Sequence, residues 1–185
     1  ENRSYSIASY SKGEVFLAQF EYLVGRSNMD KILRKYYDDF KFKHPNPNDI
    51  KRTAERVSGA TLDWYLTDFT KTTNTIDYGL GRVEEKEGAT IINLERIGRM
   101  PMPIDLQVTY TDGSKENFYI PLRLMNYEKP NPDPELPRVV LPDWAWGNPN
   151  YQFRIEKPLN TIKTIVIDPA GLMADVKGNN NKYEN

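Results

Sequence analysis

Apolar residues recur at helical spacing through the first 78 residues and at every second position in much of the remainder. In "GEVFLAQFEYLVG", Phe16, Phe20, Leu23 and Val24 fall at i, i+4, i+7 and i+8, one face of a helix. Gly25 suits its C-terminus, because glycine accepts a left-handed conformation without a Cβ clash. A second helix follows, capped by Ser27 or Asn28, with Ile32, Leu33, Tyr36, Tyr37 and Phe40 on its apolar face. "HPNPND" reads as a proline-punctuated loop. Asn48 or Asp49 then opens a third helix with Ile50, Ala54 and Val57 inward, ending near Gly59. A fourth begins after Thr61 and carries Leu62, Tyr65, Leu66 and Phe69, with Asp63 favoured at the positive end of its dipole.

After Tyr78 the period falls to two. Ile104, Leu106, Val108 and Tyr110 alternate with Asp105, Gln107 and Thr109. Asp112-Gly113 is a hairpin signal, since both residues tolerate positive φ, and Phe118, Ile120 and Leu122 return on the next strand. Tyr151, Phe153 and Ile155 alternate again, and "TIKTIVID" reads as a more deeply buried strand. With residues 81–87 and 89–97, the pattern predicts six or seven strands, each with one buried and one wet face. That points to an antiparallel β-sandwich, immunoglobulin-like or similar. The proline-rich segment 129–142 reads as a long crossing connection, and the tail "KGNNNKYEN" as frayed. Helices before strands, without alternation, predict an α+β chain in two units, 1–78 and 79–185.

Composition narrows the chemistry. The 25 Lys+Arg nearly balance the 26 Asp+Glu, so no basic surface marks a nucleic-acid or membrane-surface partner. No apolar run is long enough to span a membrane. Cysteine is absent and there is one histidine, His44, so the chain has no disulfide, no thiolate nucleophile and none of the common zinc ligand sets. His44 in its Pro/Asn loop reads as solvent-exposed. Asp168, Asp175 and Asn179–Asn181 hold oxygen ligands, yet their spacing matches no EF-hand, and a turn is the simpler reading. Trp144 and Trp146, beside prolines, read as covering a core edge rather than lining a ligand surface. The first residue is Glu1, and the chain reads as part of a longer polypeptide.

Two tyrosines, Tyr5 and Tyr10, stand five apart in "SYSIASYSKG", just before the first helix. A tyrosine there can pack its ring and bond its hydroxyl to backbone. It can also aim a phenol into a cleft, donating to developing negative charge. Spacing alone favours the first; composition does not choose between the two.

"YSIASYSKG" with an apolar helix behind it resembles the zinc aminopeptidases of the aminopeptidase N type, which carry a Tyr–x4–Tyr–x–Lys–Gly element downstream of the zinc helix. The cadence from Asp49 through Ser58-Gly59, Leu62 and Trp64-Tyr65 is similar to the helices that complete that catalytic domain. The segments "TYTDGS" and "IDPAGLMADVKGNN" resemble the β-sandwich that follows it in bacterial members. The resemblance implies a peptide-hydrolysing enzyme whose zinc sits on an H-E-x-x-H helix and a later Glu, the Glu between the histidines acting as general base. Tyr10 matches the tyrosine that stabilises the oxyanion, and Tyr5 matches a supporting residue of the cleft. The 12 tyrosines and 13 prolines without cysteine are compatible with a bacterial exported protein, so a periplasmic, secreted or cell-envelope location is expected. No H-E-x-x-H occurs here, so zinc ligands and base are expected upstream of Glu1. This chain alone is then expected to bind no catalytic zinc and to cleave nothing. Its partners would be that upstream zinc domain and, through it, the peptide substrate. An apolar patch near residues 10–24 would favour self-association. The alternative is a non-catalytic homologue serving as a structural or protein-binding module.

Overall fold

The computed structural model describes residue 3 and residues 6–185. Helices come first: a π-helical turn at Ile7–Ser11, then α1 (Lys12–Val24), α2 (Arg26–Phe40), α3 (Pro47–Ser58) and α4 (Asp63–Lys71). Eight strands follow: β1 (Tyr78–Lys86), β2 (Ala89–Arg96), β3 (Ile104–Tyr110), β4 (Lys115–Ile120), β5 (Arg138–Val140), β6 (Asn150–Ile155), β7 (Ile162–Ile167) and β8 (Lys182–Glu184). The chain is therefore α+β with helices first. It divides into two compact units. The first holds the residues up to Thr73 together with Met125–Pro132 and Leu172–Ala174; the second holds Asn74–Leu124, Asp133–Gly171 and Asp175–Asn185.

In the first unit, Phe20, Leu23, Val24, Met29, Ile32, Ala54, Leu62 and Tyr65 form the core. Gly25 (φ 83°) links α1 directly to α2, and no side chain caps α2. Asn28, an expected cap, instead donates to the Val24 carbonyl (3.2 Å) and to the Tyr127 hydroxyl (2.8 Å). The buried face of α2 runs through Met29 and Ile32, while Leu33 and Tyr37 are exposed, a shift from the expected stripe. The third helix starts one or two residues early, at Pro47. Asn46 is the cap: its side chain accepts from Asn48 N–H (2.9 Å) and its own N–H donates to the Asp49 carboxylate (2.7 Å). Gly59 ends α3 in the left-handed conformation (φ 82°). Glu55 of α3 accepts the Leu62 N–H (2.9 Å), and the buried Lys51 bonds Asp63, tying α3 to the mouth of α4.

Two distant segments complete this unit. The amide of Gln19, 2% exposed, donates to the Leu172 carbonyl (2.8 Å) and accepts from Ala174 N–H (3.0 Å). Tyr127 donates to the Val24 carbonyl (2.9 Å), and the Lys129 ammonium sits 3.9 Å from the centre of the Tyr22 ring.

The second unit holds two sheets, ordered β1-β2-β6 and β5-β4-β3-β7-β8. Glu87 and Gly88 both take positive φ (54° and 73°) in a tight hairpin turn that pairs Lys86 with Ala89. The Asp112-Gly113 hairpin forms between β3 and β4, with Gly113 at φ 86°. The strict alternation of β3 puts Ile104, Leu106, Val108 and Tyr110 inward. The two sheets touch through Phe118 of β4 and Phe153 of β6, ring centres 5.4 Å apart. Two expectations are corrected here. Between the named strands pairing is antiparallel except at β4–β5, which is parallel because the long connection brings Arg138–Val140 back in the same direction; the isolated bridges Ile76–Asp175 and Leu122–Trp144 are parallel as well. The C-terminal tail is ordered, with β8 pairing antiparallel to β7.

Candidate functional site

The first unit carries a groove of about 950 Å³. Its walls come from the π-turn and the first turns of α1 (Tyr10, Lys12, Gly13, Glu14, Phe16, Leu17) and from Tyr36 of α2. Pro45, Asn46, Pro47 and Ile50 close one side; Leu66, Phe69 and Thr70 of α4 close another. A smaller hollow of about 380 Å³ shares Asn46, Pro47, Leu66 and Thr70 with it.

The groove rests on an aromatic cluster. Phe16 stacks on Phe20 (5.4 Å between centres) and meets Phe69 edge-on (5.3 Å); Tyr65 lies 5.1 Å from Phe16 and 5.5 Å from both Phe20 and Phe69. Such pairs add to the burial of the rings and fix their angles. The Tyr65 hydroxyl donates to the Phe16 carbonyl (2.6 Å), and burial pushes its pKa well above the ordinary phenol value. Of this cluster, Phe16 and Phe69 line the groove.

Tyr10 stands on that rim. It lies in the π-turn, where the Lys12 N–H bonds the Ile7 carbonyl. A π-turn inserts one extra residue into a helix and re-aims the side chains it contains; such turns are rare and recur at functional sites. Here Tyr10 is 68% exposed, although it directly precedes a helix with a buried face. Tyr5 lies outside the described residues.

Other sequence candidates resolve individually. His44 is exposed in its loop. Among the described residues no group of three or more His, Cys, Asp or Glu could hold a metal ion. Asp175 spends its carboxylate on Tyr78 N–H (3.0 Å), Lys177 N–H (2.8 Å) and the Asn181 amide (3.2 Å), tying a turn to β1. Trp144 is core: 3% exposed, it donates to the Asn148 carbonyl (2.8 Å) and packs 5.2 Å from Tyr151. Trp146 is 55% exposed.

Sequence reasoning assigned Tyr36, Ile50 and Phe69 to helix faces but not to a groove. Pro45, Asn46 and Pro47 line the groove from a loop in which Asn46 is extended (φ −112°, ψ 170°).

No helix among the described residues is long and apolar enough to cross a membrane. Compared with protein-family models the chain matches none, and the comparison with curated proteins likewise gives no match.

Proposed function

We propose that this chain is part of a zinc aminopeptidase-like metallopeptidase, with Tyr10 supplying a hydrogen bond to the oxyanion of the tetrahedral intermediate. The observation that carries this reading is the π-turn that presents an exposed tyrosine at the rim of a large aromatic groove. A phenol O–H at such a rim can donate to a developing alkoxide without reorganising.

The described residues do not fit a zinc site: they bring together no ligand set, and His44 stands alone. The metal would be held by residues outside this chain. On this reading residues 1–78 complete the catalytic domain, and residues 79–185 form a supporting sandwich of immunoglobulin-like kind. The protein would act in the periplasm or cell envelope or be secreted.

Mass spectrometry of the native polypeptide tests this first. An H-E-x-x-H helix upstream of Glu1 is the expected finding. In that protein, Tyr10→Phe should lower kcat by about 10²–10³ with KM and folding unchanged. An unchanged kcat would overturn the role of Tyr10.

A second reading is a non-catalytic module that binds protein. Ile7, Tyr10, Val15 and Leu17, 53%, 68%, 39% and 39% exposed, are the observation that favours it, since they could meet an upstream domain or a second copy. An upstream region without zinc ligands would support it.

A further inference from the structure

The groove beside Tyr10 has two charged lining residues, Lys12 and Glu14. Glu14 is exposed on α1, which continues from the π-turn without a free N-terminus. Lys12 is the one cation among these lining residues. Among the described residues it has no carboxylate partner, and its contact is the face of Phe69, 5.7 Å from ammonium to ring centre. That contact keeps the cation over the aromatic floor.

We propose that Lys12 is the anion-recognising residue of this groove, which takes the C-terminal aromatic residue of a short peptide. The carboxylate meets Lys12, and the ring packs against Phe16, Tyr36 and Phe69. Three observations agree on this occupant. The volume of about 950 Å³ suits a short peptide or a compact ligand. The lining is mostly aromatic and aliphatic, which favours a planar apolar side chain. A cation with no carboxylate partner among the described residues favours an anion at one end. Calling the occupant a substrate or product rests on the peptidase reading; the recognition itself does not.

The test uses the 185-residue chain, with N-acetylphenylalanine and N-acetylphenylalanine amide as probes. Binding is followed by NMR of the Phe16, Tyr36 and Phe69 rings at neutral pH and low salt. The carboxylate probe should bind about three- to fivefold tighter than the amide, the size expected of an exposed charge pair. Lys12→Met should abolish that difference, Lys12→Arg should keep it, and added salt should shrink it.

Equal affinity of the two probes, a preference that survives Lys12→Met, or no shift of these rings would overturn the proposal. So would sedimentation showing that a second copy fills the groove. The two readings fail separately. If Tyr10→Phe spares turnover in the longer protein while the carboxylate preference persists, the groove is a binding site and the peptidase reading falls. If turnover is lost and no preference is found, only the role of Lys12 falls.

Discussion

At Gly98 even a methyl group meets backbone on two sides. A Cβ there would overlap the Thr75 carbonyl and lie 2.6 Å from the Asp77 nitrogen. Its own N–H bonds the Asp77 carbonyl (2.8 Å), which ties this bend after β2 to the segment it would clash with. At Gly81 the nearest atom to an added Cβ is the flexible end of Glu95 (2.9 Å). Gly98→Ala should therefore cost stability at the upper end of about 1–3 kcal/mol, and Gly81→Ala much less, as read by urea denaturation. Similar losses for both would show that the Thr75–Asp77 backbone gives way. Neither glycine announces this in the sequence, because the contact joins segments with no shared pattern. Tyr10 was legible only through its motif. Its exposure comes from a π-turn, and a one-residue insertion leaves no periodic mark in "IASYS".

Among the elements, α3 depends most on its start. Pro47 sets the first turn, and Asn46 and Asp49 satisfy each other's side of the cap. Asn46→Ala should cost about 1 kcal/mol in thermal or urea unfolding. Because Asn46 also lines the groove, the same change should shift ring signals of Phe69. A neutral substitution would mean that Pro47 alone holds the start. The four helices and most strands were legible because burial obeys a period of 3.6 or 2 that their apolar residues display. The start of α3 was misplaced because its cap precedes a proline, so the boundary falls inside what reads as loop. β8 was missed for another reason. Lys182-Tyr183-Glu184 has one apolar residue, and its strand form comes from pairing with β7, with Tyr183 opposite Ile165. A three-residue strand recruited by a neighbour carries too little pattern to be read alone.

For the whole molecule, buried phenols set the alkaline limit. Burial raises the pKa of Tyr65 and Tyr78 well above the ordinary value, and burial with the nearby Asp143 charge pushes Tyr151 up to about 12. An unfolded tyrosine ionises near about 10. Above that pH the unfolded chain releases protons that the folded chain keeps, so stability is full below about 10 and falls as pH rises through the folded values. The urea midpoint should drop steeply between about pH 10 and 12. A midpoint that stays flat there would show that these hydroxyls reach water. On the acid side, hydrogen bonds from Ser114 and Arg123 hold the Asp112 and Asp143 carboxyls below the usual range. Their contribution is lost as pH falls through those lowered values. Asp112 is exposed and the Asp143 side chain is 41% accessible, so that limb should be shallow.

The seats of Gln19 also set a timetable. The helices of the first unit leave the ribosome early, yet the backbone groups that satisfy the Gln19 amide, at Leu172 and Ala174, come roughly a hundred residues later. At about 5–20 residues per second, the nascent helical unit waits about 5–20 s for its last partner. Throughout that interval a core amide stands open, so chaperone contact and premature proteolysis would concentrate on α1 during synthesis rather than on the finished protein.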